Sequence, residues 1–123
     1  MKIIGTGVDL VEVPRFSAVM KRKGKRLLEH LFTPAEVAYA RRRKLSAQHL
    51  AARFAAKEAV VKALGAPKGL GLEWHDLEVT RSPDGQPQVL FHRSMSRWRR
   101  MKVHLSLTHT EQYAVATALV IAP

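Results

Sequence analysis

The run Phe54-Ala55-Ala56-Lys57-Glu58-Ala59-Val60-Val61-Lys62-Ala63-Leu64-Gly65 constrains this chain more than any other segment. It reads as a helix that carries charge where apolar residues are expected. At about 100° per residue, Leu50, Phe54, Val61 and Leu64 fall on one stripe, the expected core face of an amphipathic helix. Lys57 projects into the middle of that stripe. Glu58 sits at its edge, and Lys62 follows one turn later on the same side as Glu58. Charge beside buried apolar surface is costly unless something pairs with it, which makes such positions functional candidates. The competing reading is an i,i+4 Glu–Lys pair that supports the helix by about 0.2–0.5 kcal/mol.

The rest of the chain supplies strands and shorter helices around this segment. Lys2 to Val13 reads as a strand rich in β-formers. Its period of two puts Ile3, Gly5, Gly7, Asp9 and Val11 on one face. Asp9 therefore stands beside two glycines, where a ligand or another backbone can come close. Pro14 opens a helix that continues from Arg15 to about Lys23. Gly24 breaks it, and Lys25 to Leu31 gives another short helical piece. Thr33, Pro34 and Glu36 spell an N-cap, an N1 proline and a capping box, for a helix to about Arg43. Ser46 is the expected cap of the long helix. Gly65 is its expected stop, and Pro67 keeps it from resuming. Strands are expected over Glu73–Ser82 and Pro87–Phe91, joined by an Asp84-Gly85 turn. Ser94–Met101 reads as helical. Val103–Thr108 and Tyr113–Ile121 form an antiparallel pair joined near Glu111-Gln112. The expected architecture is α+β, a single domain over residues 1–123, with a long central helix packed on an antiparallel sheet.

Composition narrows the function classes. No apolar run reaches the roughly 18 residues that a membrane span requires. Met1-Lys2-Ile3-Ile4-Gly5 lacks the pattern of a signal peptide. Cysteine is absent, which removes disulfide and thiolate chemistry. A cytoplasmic protein is the expectation. The formal charge is +11, from 21 Lys and Arg against 10 Asp and Glu. That field calls for an anionic partner: nucleic acid, a membrane, an acidic protein or a phosphorylated small molecule.

Several residue groups carry candidate chemistry. Mg²⁺ takes one or two carboxylates, keeps waters and completes its shell with substrate phosphates. Asp9 on a glycine-lined strand and Glu58 on a helix edge suit that pattern. Arg53 and Lys62 are cations suited to phosphate contact, with solvated helix flanks as the alternative. Ser106-Leu107-Thr108-His109 closes a strand without the G-x-S-x-G elbow of a serine hydrolase. Its hydroxyls and imidazole suit phosphate binding, or a structural histidine. Gly5-Thr6-Gly7 is no dinucleotide fingerprint, because Leu10 occupies the third glycine's place. Basic clusters lie at residues 21–26, 41–44 and 97–102. Trp98, between arginines, suits stacking on a base or packing on the sheet.

Three ordered segments resemble the holo-acyl-carrier-protein synthase family, the short bacterial 4′-phosphopantetheinyl transferases. Gly5-Thr6-Gly7-Val8-Asp9 with Arg15 resembles the family's G-x-G-x-D…R opening. Arg53 to Gly65 is similar to its central R-F-x-x-K-E-A-x-x-K-A-L-G. Ser106-Leu107-Thr108-His109-Thr110 resembles its closing strand, and Gly85-Gln86-Pro87 its G-x-P turn. The match spans nearly the whole chain.

The resemblance implies transfer of phosphopantetheine from coenzyme A to a serine of an apo acyl carrier protein, releasing adenosine 3′,5′-bisphosphate. It implies Mg²⁺ held by Asp9 and Glu58, with Lys62 on the diphosphate. The serine's proton would pass to Glu58, directly or through water, or to Lys62. Arg53, Ser106 and His109 would hold the nucleotide's phosphates. Gly65 and Pro87 would shape its pocket, and Arg43 and Lys44 are candidates for the 3′-phosphate. Arg15, Arg22, Lys25 and Arg26, with Met20, would face the acidic carrier protein. The family also implies a homotrimer with sites between subunits, and no nucleic-acid or membrane partner. The rival readings are a basic nucleic-acid-binding module and a non-catalytic coenzyme A binder.

Overall fold

The computed structural model describes residues 1–66 and 70–123; Pro67, the expected helix barrier, lies outside them. Strand β1 (Lys2–Glu12) leads into α1 (Val13–Lys23), α2 (Lys25–Leu31), α3 (Pro34–Arg41) and the long α4 (Ser46–Leu64). The hairpin β2 (Leu77–Arg81) and β3 (Pro87–Phe91) follows, then β4 (Lys102–His109) and β5 (Tyr113–Ala122). The strands make two antiparallel sheets, β1-β5-β4 and β2-β3. Helix α4 packs chiefly on β1 and β5. The expected α+β arrangement, a long helix on an antiparallel sheet, is the one observed.

The α4–sheet contact is made of small residues. Ala51, Ala52, Ala55, Ala56, Ala59 and Ala63 are buried on α4, and Ala114, Ala116 and Ala118 on β5. On β1, a Cβ at Gly7 would collide with the carbonyl oxygen of Ala59, and one at Gly5 with that of Ala63. The space beside the glycines is thus filled by the α4 backbone. This also corrects the expected core face. Leu50, Phe54 and Val61 are only half-buried, whereas the alanines and Val60 sit deepest. A stripe of bulky residues misplaces a helix that packs through its smallest side chains, because close approach substitutes for bulk.

Other boundaries moved for local reasons. Leu45, not Ser46, is the N-cap of α4, and no side chain caps it. Helix α3 stops at Arg41, before the basic stretch ends. The segment before β2 is a 3-10 turn, Trp74–Asp76, not strand. Asp76 is buried there and accepts bonds from Arg93 Nη1, Ser94 N and Ser94 Oγ at 2.8–3.2 Å. The same bonds anchor Arg93–Trp98, a 3-10 helix that starts one residue before and ends three residues short of the helical segment expected over Ser94–Met101. The capping box of α3 formed as expected, with Thr33 and Glu36 bonded reciprocally.

The far face of the β1-β5-β4 sheet is uncovered. It presents Val8 and Leu10, exposed at 59% and 58%, with Tyr113 at 49%. A shallow hollow of about 520 Å³ on this face is lined in part by Thr6, His104, Ser106 and Thr117.

Candidate active site

Asp9 on β1 and the i,i+4 pair Glu58 and Lys62 on α4 converge where the two elements meet. Close approach at Gly5 and Gly7 brings the α4 backbone onto β1, and Asp9, one pleat further on the same face, reaches the charged edge of α4. Lys62 Nζ donates to Asp9 Oδ1 at 3.0 Å and to the Val8 carbonyl at 3.1 Å. The Asp9 side chain is 11% exposed and that of Lys62 is 55% exposed. Glu58 completes the group. Its acid is pushed up, first by burial and then by repulsion from Asp9, with Lys62 opposing. The hydrogen bond to Asp9, with its charge, holds the Lys62 ammonium above the usual lysine value. Two carboxylates share one edge, and the Lys62 ammonium is in direct contact with Asp9.

Lys57, one residue before Glu58, has the opposite fate. It is fully buried, and its Nζ donates to Glu36 Oε1 at 2.7 Å, to the Leu31 carbonyl at 2.7 Å and to the Trp74 carbonyl at 3.1 Å. Glu36 also accepts from the backbone of Thr33 and Val79. Burial pushes the Lys57 ammonium down, and Glu36 counters it. This lysine ties α2, α3, α4 and the turn before β2 together. Its role is structural.

A second group gathers at the N-terminal half of α4. The Arg43 and Arg53 guanidiniums lie 3.3 and 3.9 Å from the centre of the Tyr39 ring. His109 Nδ1 bonds Gln48 Oε1 at 2.8 Å, and its ring packs 5.1 Å from that of His49. Arg53 is 2% exposed, and its Nε is a buried atom without a hydrogen-bond partner among the described residues. Tyr39, His49 and Gln48 were missed by the sequence reading. The available signal was the i,i+4 spacing of Tyr39 with Arg43 and of His49 with Arg53, which puts each pair on one helix face.

Among the other expected site residues, Lys44 is exposed in the turn before α4. Gly65 ends α4 in the left-handed conformation, with φ 64°. Pro87 starts β3. Ser106 and His109 stand on opposite faces of β4, with Ser106 outward and His109 toward α4. Arg15, Arg22, Lys25 and Arg26 are exposed along α1 and α2, and Met20 is half-buried beside them. Arg15 and Lys25 make only loose pairs, with Glu12 at 3.9 Å and Glu29 at 3.5 Å. A groove of about 1330 Å³ between α2, α3 and the β2-β3 side contains none of Asp9, Glu58 or Lys62. Charge convergence, not volume, marks the candidate site.

Comparison with known proteins shows the family. The family model for the 4′-phosphopantetheinyl transferase superfamily matches residues 5–118. The holo-[acyl-carrier-protein] synthase of Koribacter versatilis is 45% identical over 121 residues, covering 95% of this chain and 97% of that protein. The synthase of Desulforudis audaxviator is 46% identical over 125 residues, covering 98% and 95%. The crystal structure of a holo-(acyl-carrier-protein) synthase from Bacillus anthracis, in complex with CoA (3′,5′-ADP), superposes with a TM-score of 0.82 at 29% identity, covering 98% of each chain. The chain belongs to the 4′-phosphopantetheinyl transferase superfamily, within its holo-acyl-carrier-protein synthase family. It is a group-transfer enzyme.

Proposed function

We infer that this enzyme transfers 4′-phosphopantetheine from coenzyme A to a serine hydroxyl of an apo acyl carrier protein. The convergence of Asp9, Glu58 and Lys62 on one exposed edge carries this reading. The serine oxygen attacks the phosphorus that bears the pantetheine. The bond from that phosphorus to the bridging oxygen breaks, and adenosine 3′,5′-bisphosphate leaves. The serine gives up its proton.

The donor set fits Mg²⁺. Both carboxylates offer hard oxygen ligands, and burial, followed by the neighbouring Asp9 charge, raises the Glu58 acid, a cost that a bound cation would relieve. Asp9 and Glu58 would hold the ion, which supplies charge neutralisation at the diphosphate. Lys62, kept protonated by Asp9, acts as the adjacent positive charge on the diphosphate. That leaves Glu58, directly or through a water, to take the serine proton.

One chain does not gather every candidate. Arg53 and Glu58 are five residues apart on α4, about 140° around the helix at 100° per residue. Ser106 faces out on the uncovered sheet. This supports a homotrimer in which the sheet face carrying Val8 and Leu10 packs on neighbouring copies and Ser106 serves a neighbour's site. Arg53 and His109, with Lys44, Gly65 and Pro87, contribute to the nucleotide pocket. Exposed Arg15, Arg22, Lys25 and Arg26, beside Met20, present a basic surface to an acidic carrier protein, which raises association rate and fixes register. The whole chain works as one domain, in the cytoplasm and in fatty-acid synthesis. No helix among the described residues is long and apolar enough to cross a membrane.

The test is intact-mass analysis of an apo acyl carrier protein incubated with the chain, coenzyme A and Mg²⁺. A gain of one phosphopantetheine, abolished by EDTA, supports both reaction and metal. Coenzyme A binding with no mass gain on several apo carriers overturns it in favour of a binder. Sedimentation of a Leu10→Asp variant tests the assembly: a trimer that falls to monomers supports it, and a monomeric parent overturns it.

A further inference from the structure

Outside this site, His30, Glu73 and His75 bring one ligand atom each to within 4.8 Å of one another. His30 is near the end of α2, and Glu73 and His75 flank Trp74 at the turn before β2. We propose that these three side chains form a binding site for a zinc-class divalent transition-metal ion, separate from the Asp9–Glu58 pair.

The donor chemistry separates the two sites. Imidazoles suit Zn²⁺, Co²⁺, Ni²⁺ and Cu²⁺, whereas carboxylate and water suit Mg²⁺. Two histidines and one carboxylate make a three-ligand set that leaves a position open to water. The set is also oriented. His75 Nδ1 is 3.2 Å from the His30 carbonyl oxygen, so Nδ1–H donates there and Nε2 keeps its lone pair. A backbone bond of this kind fixes the tautomer of metal-ligating histidines.

The frame beneath the site is rigid. The buried Lys57 ammonium bonds the carbonyls of Leu31 and Trp74, which adjoin His30 on one side and Glu73 and His75 on the other. The backbone of Asp76 donates to the Glu73 carbonyl at 3.0 Å and closes the turn. The ligands therefore ride on two segments already clamped together. His30 and Glu73 are exposed and His75 is half-buried, so an ion has an entry path. Bound there, it clips the end of α2 to the turn before β2.

The experiment uses tag-free protein stripped with EDTA and titrated with Co²⁺ in excess Mg²⁺, which occupies the all-oxygen site. The expected result is one Co²⁺ per chain with visible d–d absorption, displaced by Zn²⁺. His30→Ala and His75→Ala each weaken binding at least about tenfold, and both retain Mg²⁺-supported transfer. Zn²⁺ raises the melting temperature of the parent and not of the variants. Glu73→Gln, an exposed change, gives the same loss of affinity if a histidine variant folds poorly. Absence of Co²⁺ absorption overturns the proposal. So does binding unchanged in all three variants, and so does a signal lost in Glu58→Gln instead.

Discussion

Lys57 and Glu58 are neighbours on one helix, and the fold treats them in opposite ways. Lys57 is sealed, with a carboxylate and two carbonyls satisfying all three ammonium protons. Glu58 is left half-buried at an edge beside a second carboxylate, and burial first, then the Asp9 charge, raises its acid. About 100° of helix rotation separates a charge spent on stability from one available for chemistry. A satisfied buried charge holds elements together, while a poorly satisfied, accessible one can take up a cation, a phosphate or a proton.

The contrast predicts that the two positions fail differently. Lys57→Met leaves Glu36 buried without its counter-charge and should cost about 3–5 kcal/mol of stability, read from urea unfolding. A loss below about 1 kcal/mol would break the assignment.

Glu58→Gln should lower the rate of phosphopantetheine transfer by at least about 10²-fold while leaving stability at neutral pH equal or slightly higher. The sign follows from linkage. The Glu58 acid lies above its unfolded value, so the ionised form costs stability. That cost sets in as pH rises from the unfolded value toward the folded one, and it persists above. Metal-free parent protein should therefore gain stability relative to Glu58→Gln as pH falls through this window. Parallel pH–stability curves for the two proteins would refute the crowding of Glu58.

Gly7→Ala sharpens the comparison because it acts on packing alone. Its Cβ meets the Ala59 carbonyl and should push α4 off β1 at a cost of about 1–3 kcal/mol. Transfer should fall as Asp9 leaves Glu58 and Lys62. Stability lost with activity intact would uncouple the close approach from the site.

Arg15→Ala should give the smallest effect. Its side chain is 82% exposed and loosely paired. A few-fold rise in KM for the carrier protein, with coenzyme A affinity unchanged, is expected, and the rise should shrink as salt increases. Equal loss for both substrates would place Arg15 elsewhere.

Legibility from sequence followed the range of the interactions. The α3 capping box and the Gly65 stop are local, set by residues within one turn, and both formed as read. The strand pairing of β4 with β5 also followed from short-range alternation. The boundaries that moved did so through distant partners. Asp76 reaches across to Arg93 and Ser94, and that replaced the start of a strand with a turn.

The sequence by itself determined the elements, their order and the identity of Asp9, Glu58 and Lys62 as a candidate set, because motif spacing and helix periodicity are properties of neighbouring residues. Helix periodicity already set Lys57 on the core side and Glu58 at its edge; only the tertiary structure decided which partners would seal the one and surround the other. That choice depended on Glu36, 21 residues from Lys57, and on Asp9, 53 residues from Lys62. It depended also on the absence of two Cβ atoms on β1, which lets a helix backbone press against a strand. Chain-distant contacts of this kind leave no periodic trace, since the pairing free energy exists only once packing has excluded water from one partner and not the other.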